Sequence, residues 1–123
     1  MKIVIPVLND AGLDSEVSDH FGRVPYYVLI EIDDEGKIKD YSSMPNISEH
    51  RGGFGKPADH IIKLNPDAIV AKRMGARAIR LFQNAKVAVL QTDENNVKNV
   101  ISAYKNGELL ELTEGCLEAK HPE

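Results

Sequence analysis

Asp67–Leu90 reads DAIVAKRMGARAIRLFQNAKVAVL, two short apolar runs separated by a segment of helical periodicity with a glycine at its entrance. Ala68 to Ala71 has the continuous apolar character of a strand covered on both faces, and Val87 to Leu90 repeats it. Lys72 to Gly75 is a short loop, and Ala76 to Asn84 places Ala78, Ile79 and Phe82 on one helical side. A strand, a helix and a second strand in such close succession form a parallel pair joined by a crossover, right-handed in nearly all proteins. The chain is therefore α/β.

The N-terminal half supplies the rest of the sheet. Lys2 to Val7 (KIVIPV) is rich in β-branched residues and suits a buried central strand. Leu8 to Pro25 is a long irregular stretch, and Tyr26 to Ile32 (YYVLIEI) is a second strand. Asp33-Asp34-Glu35-Gly36 is a tight-turn signal, so Lys37 to Ser43 returns as a third strand in a hairpin. Met44 to Gly55 is a second long loop. A helix follows from Lys56 or Pro57 with Ala58, Ile61, Ile62 and Leu64 inward, and Asn65-Pro66 stops it. After the fifth strand, Thr92 or Asp93 can cap a third helix over Glu94–Asn106, carrying Val97, Val100, Ile101 and Tyr104 and ended by Gly107. The order β-β-β-α-β-α-β-α predicts a mixed five-stranded sheet with helices on its faces, of ribonuclease H-like arrangement. Residues 1–110 are expected to form one domain, and 111–123 a C-terminal extension that frays.

Composition narrows the function. At 123 residues, 42% of them apolar and 28% charged, the chain has room for one domain and needs no disulfide or structural metal to fold. A net charge of −4 argues against nucleic-acid binding through overall electrostatics. Cys116 is the single cysteine, so no intramolecular disulfide and no CxxC metal site can form. It is either a small buried thiol or, if the tail folds back, a soft ligand. No window approaches the roughly 20 apolar residues of a membrane span, and no signal-like stretch is present; a cytoplasmic location with no membrane partner is expected.

Counting strand directions locates the functional edge. With the first strand running up, Leu8–Pro25, Met44–Gly55, Lys72–Gly75 and Gln91–Asn96 all lie at the top, and both long loops are among them. Long loops in compact domains and the carboxyl ends of parallel strands are preferred ligand sites. This edge gathers His20, Arg23, His50, Arg51, Lys56, Lys72 and Arg73, a local cationic excess in an acidic chain, which predicts an anionic ligand. Gly52-Gly53-Phe54-Gly55 stands before a helix, where free amides favour negative charge, although the same run can simply turn the chain. In Asp19-His20-Phe21-Gly22-Arg23, an aromatic residue able to anchor the loop and a glycine able to turn it follow the histidine. His20 is either an imidazole ligand for a transition metal or a loop histidine satisfied by solvent. His60 reads as a surface residue of the first helix. A two-metal nuclease is rejected: KIVIPV holds no acid, and AIVA runs into Lys72-Arg73, which repels cations. No nucleophile–base arrangement is evident either.

Over about Met1 to Leu110 the chain resembles the dinitrogenase iron–molybdenum cofactor biosynthesis family, which occurs as NifX-type proteins and as the C-terminal domain of NifB-type proteins. The resemblance rests on Val17-Ser18-Asp19-His20-Phe21-Gly22-Arg23-Val24-Pro25-Tyr26-Tyr27 and on Gly52-Gly53-Phe54-Gly55-Lys56-Pro57-Ala58. It continues in Asp67-Ala68-Ile69-Val70-Ala71, Gly75 and Asn106-Gly107-Glu108-Leu109. It implies a ribonuclease H-like core without nuclease activity, and a non-enzymatic protein is expected. It also implies transient binding of an iron–sulfur or iron–molybdenum-type cluster that passes between donor and acceptor assembly proteins. By the same resemblance His20 is the metal ligand, with Arg23 and the glycine-loop amides of Gly52, Gly53 and Gly55 around the cofactor; the count of strand directions adds Phe21, Gly22, His50, Arg51, Lys72 and Arg73 to the expected cofactor site. Lys72-Arg73-Met74-Gly75 departs from the small, glycine-rich loop common there. The alternative is a regulatory or adaptor domain that recognises a partner protein through the same edge without a cluster.

Overall fold

The computed structural model describes residues 1–46 and 57–112. Its strands are β1 (Lys2–Val7), β2 (Tyr26–Ile32), β3 (Ile38–Pro45), β4 (Ala68–Ala71), β5 (Ala88–Gln91) and β6 (Leu110–Glu111). The helices are α1 (Pro57–Ile62), α2 (Ala76–Asn84) and α3 (Val97–Lys105), with a short 3₁₀ turn at Gly12–Asp14. The sheet order is β3-β2-β1-β4-β5-β6. β1 is antiparallel to β2 and parallel to β4, β4 is parallel to β5, and β2 and β3 form the expected hairpin.

Alternation along the strands divides the core into two layers. Val4, Tyr27, Ile69 and Val89 face the side covered by α1 and α2, where Ile61, Ile79 and Phe82 are buried. Ile3, Ile5, Val28, Ile30, Ala68 and Val70 face the other side, covered by Val97, Val100 and Ile101 of α3. β1 is thus buried on both faces, which is why KIVIPV shows almost no polar alternation. Phe82 has no exposed surface and anchors the first layer, a burial that contributes about 2–3 kcal/mol. The β2–β3 turn is closed by the Asp33 carboxylate, whose Oδ1 accepts from the amides of Glu35 and Lys37 at 2.9 Å, with Gly36 at φ 84°.

Three expectations are corrected. The sheet has six strands among the described residues: Leu110–Glu111 pairs antiparallel with β5, and Leu112 is buried against α2, where Gln83 donates to its carbonyl. The third helix starts at Val97 and not near Glu94. Thr92 does make a cap-like bond, accepting from the Glu94 amide at 3.0 Å, but the helix is capped by Asn96, which accepts from Lys98 at 2.8 Å. Residues between these two caps are drawn away to pair with the first loop. β3 runs on to Pro45, so the second long connection begins later than the sequence suggests.

Candidate functional site

The C-terminal ends of β1, β3, β4 and β5 and the start of β2 converge on one edge. Val7 pairs with Tyr26 and Tyr26 with Pro45, while Ala71 pairs with Gln91. The first long loop crosses this edge in two stages. Residues 15–18 are stitched down: Leu8 donates to the Glu16 carbonyl at 2.9 Å, Ser18 to that of Pro6 at 3.0 Å and Val17 to that of Asn95 at 2.9 Å. Short bridges Val7–Val17 and Glu16–Asn96 complete the link between β1 and the approach to α3.

Residues 19–24 then rise as an arch that carries both exposed and covered side chains. Asp19, His20 and Arg23 are exposed, whereas Phe21 is half-buried and Val24 is buried. The buried Ser18 hydroxyl accepts from the His20 amide at 3.0 Å and fixes where the arch begins. Phe21 turns down edge-on to Phe82, with ring centroids 5.4 Å apart, and lies 6.0 Å from Tyr27. Gly22 follows at φ 101°, a conformation that a side chain would strain. The anchor and turn read from the sequence are therefore what holds His20 and Arg23 out into solvent.

Asn46 closes the arch from below. Its side chain is buried, and its Nδ2 donates to the carbonyls of Gly22 and Val24, each at 2.9 Å, while its own amide donates to Pro25. Next to it the Tyr27 hydroxyl is buried with no hydrogen-bond partner in good geometry among the described residues. Burial pushes this phenol well above its ordinary range, and the backbone of Gly22 acts in the opposite direction with the smaller effect. His60, expected at the surface, is half-buried and shares a cavity of about 240 Å³ with Tyr27, Met44, Asn46, Ile61 and Leu64.

The loop after β4 brings the second pair of cations. Arg73 is exposed, Met74 is buried, and Gly75 sits at the N-cap of α2 without a side-chain cap bond. The Lys72 side chain is only 16% exposed, and its ammonium donates to Asn95 Oδ1 and lies 3.4 Å from Asp19 Oδ1. Lys72 thus joins three loops of the edge. His50, Arg51, Gly52, Gly53 and Gly55 lie outside the described residues, as do Lys56 and Cys116. Among the described residues no three His, Cys, Asp or Glu side chains come together to hold a metal ion. What the described edge offers is one exposed imidazole beside guanidinium and ammonium groups, an arrangement suited to an anion that also accepts one nitrogen ligand.

Sequence reasoning missed Asn46, Asn95 and the role of Asp19. A polar residue beside Pro45 carries no sign of being buried, and Asn95 looks like part of a helix start. Asp19 stands within the quoted motif, and its adjacency to His20 was the available signal.

Known proteins agree with this architecture. An uncharacterized protein of Methanocaldococcus jannaschii is 25% identical over 111 residues, 89% of this chain and 89% of its own. The solution structure of a Thermotoga protein provisionally described as NifB, of the DUF35 family, is 25% identical with a TM-score of 0.73, covering 91% of this chain and 93% of its own. The apo form of the orange protein from Desulfovibrio gigas shares the fold at 20% identity, with a TM-score of 0.75 and 90% and 92% of the two chains covered. The family model for the dinitrogenase iron-molybdenum cofactor matches residues 1–107, and the chain belongs to that family.

Proposed function

We propose that this protein is a non-enzymatic carrier for an anionic iron–sulfur cluster, of the iron–molybdenum cofactor or precursor kind, passed between cofactor-assembly proteins. The observation that carries the reading is the arch itself. His20 and Arg23 project from a segment whose intervening Phe21 and Gly22 are pinned by Phe82, Tyr27 and Asn46. A ligand histidine held out on a rigid support, beside cations, suits a cluster that must be seized and released. In this reading His20 binds iron, and Phe21 and Gly22 shape the arch. Arg23, Lys72 and Arg73 balance the cluster's negative charge, and His50, Arg51, Gly52, Gly53 and Gly55 complete the cradle.

One imidazole among the described donors gives weak holding, which favours transfer over storage. The family membership supports an association with the iron–molybdenum cofactor. The sheet order β3-β2-β1-β4-β5, with β2 antiparallel to its neighbours, supports the ribonuclease H-like reading of one domain over 1–110. No helix among the described residues is long and apolar enough to cross a membrane, and the net charge of −4 supports a protein without nucleic-acid partners; a cytoplasmic location is part of the same proposal.

The test is anaerobic iron–sulfur cluster loading of wild type and His20→Ala, followed by visible absorption. His20 touches the fold through its backbone amide, so the variant should keep its stability within about 0.5 kcal/mol. Stoichiometric uptake by wild type and loss in His20→Ala is the expected result. Equal uptake by both removes His20 as ligand. No uptake by either, with partner capture that needs neither iron nor His20, supports the adaptor reading instead.

A further inference from the structure

We propose that Asp19 is an internal anion that keeps the ligand's place on Lys72, so that an anionic ligand enters the loop edge by exchange with the Asp19 carboxylate. The inference rests on the reading that this edge takes an anion, and it adds how binding and release are controlled.

The ion pair is lopsided. The Lys72 side chain is 16% exposed and that of Asp19 is 69% exposed, with 3.4 Å between Nζ and Oδ1. The ammonium is fixed by Asn95 Oδ1, and the Lys72 carbonyl accepts from Gln91 Nε2 at 3.4 Å. The Lys72 stem is mostly covered and its ammonium is held in one place, so a counter-charge beside it is favoured, by the modest amount typical of an ion pair in contact with solvent. The carboxylate is under no such restraint. It stands in solvent at the foot of the arch, while the backbone on its C-terminal side is held by the bond from the His20 amide to Ser18. Rotation of the Asp19 side chain therefore frees Lys72 without moving the arch.

Asp19 immediately precedes His20, so an anion bound to that imidazole arrives beside the position the carboxylate occupies. With Asp19 on Lys72 the pair is neutral and the edge attracts anions weakly. With Asp19 swung out, Lys72 is available to the ligand. When the ligand departs, Asp19 returns, and Lys72 is never left without a counter-charge. Such an exchange lowers affinity and speeds release, both useful where a ligand is handed on. Asp19 is a positioning residue for Lys72 and contacts no ligand itself.

The experiment compares wild type, Asp19→Asn, Asp19→Ser and Lys72→Gln with two probes. The first is inorganic phosphate, titrated while the side-chain amide of Asn95 is followed by NMR. Both Asp19 variants should bind phosphate about two- to fivefold more tightly than wild type, the range to which an exposed ion pair of this kind converts, and Lys72→Gln should lose the response. Phosphate affinity in both Asp19 variants equal to or below that of wild type overturns the exchange. The second probe is the anaerobically reconstituted iron–sulfur cluster, whose release to an iron chelator should slow by a similar factor in Asp19→Asn. If no protein takes up a cluster but phosphate affinity still depends on Asp19, the carrier reading fails and the exchange stands. If clusters load while neither probe responds to Asp19, the exchange fails and the carrier reading stands.

Discussion

Replacing Asn46 tests whether the arch is held from below. Its Nδ2 makes two buried hydrogen bonds, to the carbonyls of Gly22 and Val24 at 2.9 Å each. A net value of about 1 kcal/mol per bond sets a floor near 2 kcal/mol for Asn46→Ala, and stranding buried acceptors adds to it, giving about 2–3 kcal/mol. Equilibrium urea unfolding reads this loss directly. Amide exchange should show the loss of protection concentrated near residues 19–24. Asn46→Asp sharpens the argument because it keeps the shape and reverses the chemistry. A carboxylate facing two carbonyl oxygens has no donor for either, so near neutral pH this variant should be less stable than Asn46→Ala. Burial and the facing carbonyls raise the folded pKa of the new carboxyl above its unfolded value. The raised pKa means that stability is retained below the unfolded value, about 3.9, and is lost as pH rises through the folded one. The deficit of Asn46→Asp should therefore shrink on acidification. A loss below about 0.5 kcal/mol for Asn46→Ala, or identical behaviour of the two variants from about pH 4 to 8, refutes the reasoning.

Two further perturbations probe the same support. Phe21→Ala removes the ring between Phe82 and Tyr27 and should cost about 2–3 kcal/mol in chemical denaturation, with Phe21→Leu recovering part of it; a negligible loss would show that the arch is anchored elsewhere. Tyr27→Phe removes a buried hydroxyl without a good partner and should leave stability at pH 7 unchanged or raised by up to about 1 kcal/mol. The raised phenol pKa means that the wild type keeps this contribution below the ordinary phenol value of 10.0 and loses it above, as the unfolded phenol ionises first. Tyr27→Phe should lack that alkaline slope of about 1.4 kcal/mol per pH unit, and an unchanged slope would contradict the buried, neutral phenol.

The parallel core was legible because local patterns there agree with the global fold. AIVA, KIVIPV and the helix with Ile79 and Phe82 each have one dominant periodicity, and strand directions then followed by counting. The same count put the long loops at one edge, and the His-Phe-Gly-Arg stretch announced an anchor and a turn that Phe82 and the φ of Gly22 supply. Cap chemistry was ambiguous: Thr92 and Asn96 are both competent, and both form cap-like bonds. The pairing of Asn95 with Val17 decided between them, a contact across 78 residues of chain that no local pattern encodes. The two-residue strand β6 is too short to carry a period and exists because β5 offers it an open edge. Sequence by itself thus determined the five main strands, the three helices and the edge to which His20, Arg23, Lys72 and Arg73 belong. Tertiary structure alone decided that Asn46 lies buried beneath the arch and that Lys72 is already paired with Asp19. Hydrogen bonds and ion pairs between distant loops depend on how the sheet brings those loops together, and residue type constrains that only weakly.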